Sequence, residues 1–268
     1  KLGMARSALL FGILNAAVAY LTARVFKAEL PRYRAIRLRA LIVLSVLAAA
    51  FAYADRISFK AEQSYFGDPV VYQSHSPYQR LVVTRWKDDT RLYINGNLQF
   101  SSRDEARYHE ALVLPAMQMV SDASRVLILG GGDGLAAREV LKYPQVKHVT
   151  LVDLDPDMTA TFKTSAALSA LNQGSLSHPK MHVVNDDAAK WLEGSSEKFD
   201  VIIIDLPDPS NFSLGKLYSV PIYRLVARHL QPQGKIVVQS TSPYFAPNAY
   251  WSVVALSLIH ISEPTRPY

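Results

Sequence analysis

Between positions 126 and 209 the chain repeatedly places an acidic residue at or just after the end of an apolar, strand-like run. Six residues share this arrangement: Asp133, Asp153, Asp155, Asp187, Asp205 and Asp208. The runs RVLIL, HVTLVD, KMHVVN, FDVIIID and GKIVVQS alternate with segments of helical pattern. This alternation predicts an α/β fold with a doubly wound parallel sheet, whose strands all end at one edge. Carboxylates collected at that edge are typical of a pocket for a nucleoside and a cationic substrate.

Helical segments separate these strands and also precede them. Between the strands we predict helices over Leu135–Lys142, Asp157–Ala170, Ala188–Glu193 and Val220–His229. A further helix is predicted over Asp104–Val120, with Ser101 or Ser102 as its N-cap and a kink at Pro115. This order of elements predicts a Rossmann-like domain.

A small antiparallel β unit is predicted ahead of that domain. Two β-rich runs, Tyr78–Trp86 and Thr90–Asn95, are joined by a turn at residues 87–89. The dipeptide Asn95-Gly96 is a strong turn signal and leads into the run NLQFS.

Two apolar runs near the start, Ser7–Phe26 and Leu38–Ala54, are predicted to be transmembrane helices, because about 20 apolar residues span the hydrocarbon layer. The alternatives are a cleaved signal peptide for the first run and two buried core helices. A basic loop lies between them, with Lys27, Arg32, Arg34, Arg37 and Arg39. The positive-inside rule would place this loop in the cytoplasm and the following domain outside. A nucleoside donor is scarce there, so we weight substrate supply above the loop rule and expect a cytoplasmic catalytic domain in a multi-pass membrane protein, whose number of spans ahead of Lys1 stays open.

Charge separates the two parts of the chain. The net charge is +6, but residues 1–60 contribute ten Lys or Arg against two acidic residues, so the remainder carries −2. A basic stripe for phosphate binding is therefore missing from the globular part, which argues against a nucleic-acid partner and indicates a cationic one. The chain has no cysteine, which excludes disulfides and thiolate metal sites.

The chain is accordingly divided into four parts: a membrane anchor (1–60), a small β domain (61–102), a Rossmann-like catalytic domain (103–256) and a tail (257–268). The tail SLIHISEPTRPY resembles a translated sequencing adapter and follows no strand or helix pattern. We therefore interpret residues 257–268 as non-native and expect that strands closing the sheet after Ser240 are missing.

The loop Gly130–Gly134 has glycine at its first, third and fifth positions, which lets the backbone approach a ligand closely, above all at Gly130 and Gly132. A dinucleotide fingerprint would need glycine where the chain has Leu135, so the loop is closer to those of adenosylmethionine-type folds. Asp153 ends the next strand, where a carboxylate accepts hydrogen bonds from ribose hydroxyls.

Asp187 ends the third strand and is predicted either to accept a hydrogen bond from an adenine amine or to cap the following helix. Asp205-Leu206-Pro207-Asp208-Pro209 places two carboxylates three residues apart in a segment stiffened by two prolines that restrict φ, which holds both acids toward the cleft. No third ligand for a magnesium ion lies nearby, so no metal is expected. Tyr108, His109 and Gln79 are weaker candidates for residues that line the same cleft.

Taken together, the segments YQRLVV, YINGNLQFSSRDEARYHE, VLILGGGDGLAAREVL, VTLVDLD, NDDA and DLPDP with LYS at Leu217–Ser219 resemble the spermidine synthase (polyamine aminopropyltransferase) family. The resemblance runs from about Tyr72 to Ala255, and the apolar runs ahead of it resemble the membrane region of multi-pass bacterial members. It implies transfer of a 3-aminopropyl group from decarboxylated S-adenosylmethionine, a co-substrate, to putrescine, with no cofactor. Homodimers are common in the family.

The resemblance also implies roles for individual residues. The methylthioadenosine portion would contact Gln79, Asp153, Asp187 and Ala188, together with the glycine loop. Amine groups of donor and acceptor would be held by Tyr108, His109, Asp133 and Asp208. Asp205 would be the catalytic base. Chemistry supports this division, because the acceptor ammonium, with a pKa near that of lysine, must lose a proton before it attacks.

The chain departs from the family at a few positions that concern acceptor choice. Leu206-Pro207 stands where the family often has Ser or Thr, and Asp153 where it often has Glu; Asn211-Phe212 replaces a common Gly-Pro. Two other functions stay open. One is an adenosylmethionine-dependent methyltransferase, whose donor carboxylate would be repelled by Asp133, Asp205 and Asp208. The other is a membrane-tethered polyamine or nucleoside sensor without turnover.

Overall fold

The computed structural model describes residues 3–208, 212–240 and 242–258. The chain divides into two compact units, one comprising the residues up to 75 together with 82–88, the other comprising 76–81 and the residues from 89 onward. These limits differ from the predicted domain boundaries at 60 and 102, and the predicted division stays a prediction. Most of the predicted tail, residues 259–268, lies outside the described part.

The first unit begins with three helices: α1 (Met4–Val25), α2 (Tyr33–Ala52) and α3 (Ala54–Phe66). The two predicted apolar helices are confirmed as helices, and α2 begins five residues earlier than expected; α3 was not predicted. Helices α1 and α2 pack together. They are in close contact at Gly12, where an added Cβ would lie 3.4 Å from Leu47 Cδ1. By length and composition, α1 from Ala5 onward and α2 could each cross a membrane. Almost none of their residues are buried, unlike those of a core helix in a soluble domain.

An antiparallel sheet is formed by β1 (Val70–His75), β2 (Arg80–Trp86), β3 (Asp89–Ile94) and β4 (Asn97–Ser101), in chain order. Strands β3 and β4 pair antiparallel across the predicted Asn95-Gly96 turn. Both turn residues have positive φ, 53° and 87°, as a two-residue hairpin loop of type I′ requires. The predicted small β unit is confirmed.

The second unit contains a five-stranded parallel sheet in the order β7-β6-β5-β8-β9. Its elements and the helices around it are α4 (Glu105–Met119), β5 (Arg125–Gly130), α5 (Leu135–Leu141), β6 (His148–Asp153), α6 (Pro156–Thr164), α7 (Ala166–Leu171), β7 (Met181–Asn185), α8 (Ala188–Gly194), β8 (Phe199–Asp205), α9 (Phe212–Gly215), α10 (Val220–Arg228), β9 (Leu230–Val238) and α11 (Pro247–Leu258). The predicted doubly wound sheet is confirmed.

The inner strands β5 and β8 are apolar over residues 126–129 and 201–204 because both of their faces are covered there. Leu127, Leu129, Ile202 and Ile204 are almost completely buried in one cluster with residues of α8 and α10. Burial of each such side chain is worth about 1.5–3 kcal/mol relative to exposure. This packed centre holds the carboxyl ends of β5 and β8 in place.

Several local predictions were wrong. Asp104, and neither Ser101 nor Ser102, occupies the N-cap position of α4. Ser101 donates to Asp89 Oδ1 at 2.6 Å, and Ser102 Oγ accepts from Thr90 N at 2.9 Å. The helix expected over residues 157–170 is interrupted at Ser165, whose ψ of 117° is extended. Strand β9 begins four residues earlier than expected, and α11 was not predicted.

Candidate active site

The predicted acids meet at one edge of the parallel sheet. Strand order reverses between β5 and β8, because the next strand after β5 lies on its other side. In the parallel register Gly130 lies opposite Asp205, and Asp153 lies opposite Asn185. A crevice at such a reversal, outside the carboxyl ends of the strands, is where open α/β sheets bind ligands.

The glycine loop brings two of these acids together. Gly131 N donates to the main-chain oxygen of Asp205 at 3.1 Å, and Gly132 N donates to Asp153 Oδ2 at 3.0 Å. An added Cβ on Gly130, whose φ is +82°, would lie 2.2 Å from the main-chain oxygen of Asp205. One on Gly132 would lie 2.6 Å from Asp153 Oδ2. Only glycine therefore permits this approach of backbone to acid.

Asp153 is held from two sides at the end of β6. Its carboxylate accepts hydrogen bonds from Gly132 N and from Asp155 N, the latter at 2.8 Å. Burial raises the pKa of Asp153 to about 6 despite these donors. The carboxylate thus ends a strand beside the glycine loop, where the sequence predicted a ribose acceptor.

The turn that carries Gln79 is attached to the same region. Ser76 Oγ lies 2.8 Å from Asp155 Oδ2, to which it donates, and Gln79 N donates to Ser76 Oγ at 3.0 Å. Asp155 is buried and caps α6. Asp155 therefore joins this turn to the end of β6, a contact the sequence did not indicate.

Asp133 and Asp205 form the centre of the acidic cluster. Asp133 is buried, its Oδ1 accepts from Leu135 N at 2.9 Å, and burial raises its pKa although the charge of His109 opposes this. Burial and then the charge of Asp133 raise the pKa of Asp205 to about 6. Two carboxylates that destabilise each other's charge form a site suited to a cation.

Helix α4 supplies Tyr108 and His109 to this cluster. Tyr108 Oη donates to Asp205 Oδ1 at 2.7 Å, and the Tyr108 and His109 rings meet edge to face at 4.8 Å between centroids. Burial, followed by the charge of Asp205, raises the pKa of Tyr108, so its hydroxyl stays a donor. Tyr108 and His109 are consecutive on α4, and the charge of Asp205 acts on both side chains.

A buried ionic network lies behind His109. His109 Nδ1 is 2.9 Å from Glu105 Oε2, and Arg138 Nη1 and Nη2 donate to the two Glu105 carboxylate oxygens at 2.8 and 3.0 Å. Burial would lower the pKa of His109, but the hydrogen bond to Glu105 and the charges of Asp133 and Asp205 raise it overall. Nothing in the sequence indicated the roles of Glu105 and Arg138, which lie 33 residues apart.

Asp208 is exposed and is held by residues of the following elements. Gln239 Nε2 donates to Asp208 Oδ1 at 3.0 Å. Tyr218 Oη lies 3.0 Å from both Gln239 Oε1 and the main-chain oxygen of Leu206. Tyr218 belongs to the LYS motif, but Gln239 was missed. Pro209 and Asn211, which the sequence singled out, lie outside the described residues.

Asp187 caps α8, as one of its two predicted roles requires. Its Oδ1 accepts from Ala189 N at 2.9 Å and from Lys190 N at 3.1 Å, and the residue is exposed. Ala188, the first residue of the helix, is half-buried. Binding of adenine by Asp187 and Ala188 stays a prediction. Within residues 3–208, 212–240 and 242–258, no group of three or more His, Asp or Glu side chains is placed to hold a metal ion.

Comparison with known proteins agrees with this geometry. A family model for the spermine/spermidine synthase domain matches residues 105–256. The chain is 58% identical over 272 residues to polyamine aminopropyltransferase 2 of Ralstonia nicotianae, covering 100% of the chain and 53% of that protein. It is 46% identical over 253 residues to the polyamine aminopropyltransferase of Leptospira interrogans, covering 94% of the chain and 51% of that protein. The chain thus spans about half the length of these curated relatives.

Solved structures share the fold. One of them is a crystal structure of a spermidine synthase in complex with the transition state analogue AdoDATO, with a TM-score of 0.65 and 27% sequence identity. The match covers 70% of the chain and 64% of that structure.

Proposed function

Since the chain belongs to the spermine/spermidine synthase family, we propose that it transfers a 3-aminopropyl group from decarboxylated S-adenosylmethionine to putrescine. The products are spermidine and methylthioadenosine. The observation that carries this proposal is the pairing of Asp133 and Asp205 around the glycine loop, because both carboxylates suit amine ligands. The names of the relatives and the complexed neighbour support it.

The donor occupies the β5–β7 side of the crevice. Asp153 accepts hydrogen bonds from the ribose, while Gly130 and Gly132 keep the backbone close to it. Gln79, Asp187 and Ala188 surround the rest of the methylthioadenosine portion. The aminopropyl tail of this donor ends in an ammonium without a carboxylate, and buried Asp133 is the acid that receives it.

The acceptor diamine lies on the β8–β9 side. Asp208, oriented by Gln239, binds its distal ammonium, and Tyr108 and His109 contact amines next to Asp205. These contacts hold the attacking nitrogen in line with the carbon beside the sulfonium.

Asp205 acts as general base in the transfer. The attacking ammonium gives a proton to the Asp205 carboxylate, and the neutral amine forms the new C–N bond. The C–S bond breaks with its electron pair passing to sulfur, which turns the sulfonium into the neutral thioether of methylthioadenosine. A positioned base of this kind contributes roughly 10²–10⁴-fold.

A methyltransferase is the nearest alternative, and the acids disfavour it. Its donor would bring a carboxylate toward Asp133, which is buried and near the charge of Asp205. Two like charges in a low-dielectric site repel strongly.

The test supplies the full-length protein with putrescine and either decarboxylated or ordinary S-adenosylmethionine. We expect methylthioadenosine only with the decarboxylated donor, and near-complete loss of transfer in Asp205→Asn. Asp186→Asn is the matched control, since Asp186 is an acid at a strand end that pairs with Lys190 outside the cluster. Release of adenosylhomocysteine would assign the methyltransferase instead, and ligand binding without any product would assign the sensor.

We also propose that α1 and α2 anchor the chain in a lipid membrane, with the catalytic unit in the cytoplasm. Their exposed apolar side chains support this, among them Phe11, Val18, Leu38 and Val46. In a full-length background with any other cysteine replaced, a single Lys190→Cys substitution at an exposed position reports the side of the membrane. In intact cells a membrane-impermeant thiol reagent should leave it unmodified until the membrane is opened; modification in intact cells would place the domain outside. The homodimer stays a prediction.

A further inference from the structure

His109 Nδ1 faces two oxygen atoms of one residue. It lies 2.9 Å from Glu105 Oε2 and 2.9 Å from the main-chain oxygen of Glu105, one helical turn earlier. A carbonyl oxygen and an ionised carboxylate oxygen accept hydrogen bonds and cannot donate them. The proton between these atoms must therefore belong to His109 Nδ1.

Glu105 is itself held in one orientation and one charge state. Both of its carboxylate oxygens accept from the guanidinium fork of Arg138, a bidentate arrangement that fixes the plane of the carboxylate. Burial opposes its charge, but hydrogen bonds from His109 and Arg138 lower the pKa of Glu105 to about 2. Glu105 is thus ionised throughout the pH range in which His109 titrates.

We propose that Glu105 is a positioning residue that fixes His109 in its Nδ1–H form and so reserves Nε2 as the nitrogen that accepts a hydrogen bond from a substrate amine. Above its raised pKa His109 is neutral and carries one proton, and with Nδ1 occupied, Nε2 keeps its lone pair. The assignment of the proton rests on geometry alone. The role of Nε2 toward an amine rests on the proposed function.

The acids around His109 explain why the position of its proton matters for binding an amine. Glu105 lies on its own helix, while Asp133 comes from the glycine loop and Asp205 from β8. With Nε2 unprotonated, His109 adds a neutral acceptor to these two acids. With the opposite tautomer it would present a donor, which competes with a substrate ammonium for them.

The network also contains a matched control. Glu139 is buried, and its Oε1 accepts from Arg138 Nε at 2.9 Å, so it too is an acid paired with Arg138. The described contacts of Glu139 are with Arg138 and Lys142. Glu139→Gln therefore perturbs the same arginine without altering the partner of His109 Nδ1.

The test is ¹⁵N NMR of the full chain labelled at histidine, with His109→Gln used to assign the His109 signal among the seven histidines. In the wild type we expect neutral His109 to carry its proton on Nδ1. Glu105→Gln removes the carboxylate but keeps the main-chain oxygen of residue 105, so we expect a partial shift toward the Nε2–H form and half-protonation at lower pH, while Glu139→Gln resembles the wild type. A wild-type proton on Nε2 would overturn the proposal without any variant. The proposal would also be overturned if the two glutamine variants showed the same tautomer and the same pH of half-protonation.

Kinetics supply the second readout. Glu105→Gln removes the charged partner of the His109 Nδ1 hydrogen bond, so kcat/KM for the diamine should fall about tenfold or more. In Glu139→Gln this hydrogen bond is kept, and kcat/KM should fall about twofold or less. The two proposals fail in different ways. Absence of transfer by the wild type, with the expected tautomer, refutes the proposed function and leaves the positioning of His109 intact. Normal transfer with equal kcat/KM losses in the two variants refutes the role of Nε2.

Discussion

Tyr108 Oη donates a 2.7 Å hydrogen bond to Asp205 Oδ1 across 97 positions of sequence. Helix α4 provides the phenol and the inner strand β8 provides the acid. The bond stabilises the carboxylate, whereas burial and Asp133 raise its pKa to about 6. The strength of the proposed base is therefore set by residues of α4, the glycine loop and β8, which lie far apart in the chain.

Removing this hydroxyl should weaken the base form of Asp205. Loss of a hydrogen bond to the charged form raises the pKa further, so in Tyr108→Phe the acidic limb of methylthioadenosine release should move upward by about one pH unit. Activity near neutral pH then falls and recovers at higher pH. Tyr143→Phe, beyond α5, is the control and should keep the wild-type profile. An unshifted profile in Tyr108→Phe would show that the bond does not tune Asp205.

Ionisation of the buried Asp205 should lower the stability of the folded protein. Because the folded state raises the pKa of Asp205 from 3.8 to about 6, its contribution to folding is fully present below pH 3.8 and is lost as pH rises through about 6. Asp205→Asn lacks this ionisation and should be more stable than the wild type at pH 8 by about 1–3 kcal/mol, but not at pH 3.5. Thermal unfolding at the two pH values measures the difference. A wild type that is more stable than the variant at pH 8 would contradict it.

Glycine at position 130 should be indispensable. In Gly130→Ala the new Cβ would lie 2.2 Å from the main-chain oxygen of Asp205 at a φ of +82°. We expect a loss of about 2–4 kcal/mol of stability and a displaced Asp205, with transfer abolished. Gly194→Ala is the control, since nothing lies within 4 Å of the added atom and no positive φ is involved. Equal melting temperatures for the two variants would disprove the constraint.

Nucleoside binding should depend on the charge of Asp153. Ribose hydroxyls donate best to an ionised carboxylate, and burial raises the pKa of Asp153 to about 6. The affinity for methylthioadenosine should therefore decline as pH falls through 6, and Asp153→Asn should bind weakly with a flat pH dependence. Calorimetric titration between pH 5 and 8 checks this. A wild type whose affinity does not change over that range would refute the role.

The parallel sheet and its acids were predictable because short-range patterns encode them. Apolar runs such as those containing Leu127 and Ile202 mark buried strands, and the carboxyl ends of parallel strands meet without further information. The position of Asp153 and Asp205 beside the glycine loop follows from strand order alone. The Asn95-Gly96 turn was predictable for the same reason, since positive φ is a local property.

The remaining features depend on partners that are distant in sequence. Ser101 has the chemistry of a helix cap, but a better acceptor–donor pairing with Asp89 on the neighbouring strand occupies its hydroxyl. Glu105 and Arg138 form an ion pair between two helices that no motif links. The sequence supported two roles for Asp187, capping of α8 and binding of adenine. The structure contains the cap, which does not exclude the second role.

The reversal of strand order between β5 and β8 has an evolutionary consequence under the proposed function. Residues 130–188 contain most of the proposed donor contacts, whereas Asp205, Asp208 and Gln239 fall within 205–239, so each substrate has most of its contacts in a segment of its own, with Gln79, Tyr108 and His109 added from upstream. The two segments touch where Gly130 and Gly131 approach Asp205. Descendants of one ancestral gene can therefore exchange one amine for another through changes in the second segment, while the nucleoside-binding segment is inherited unaltered.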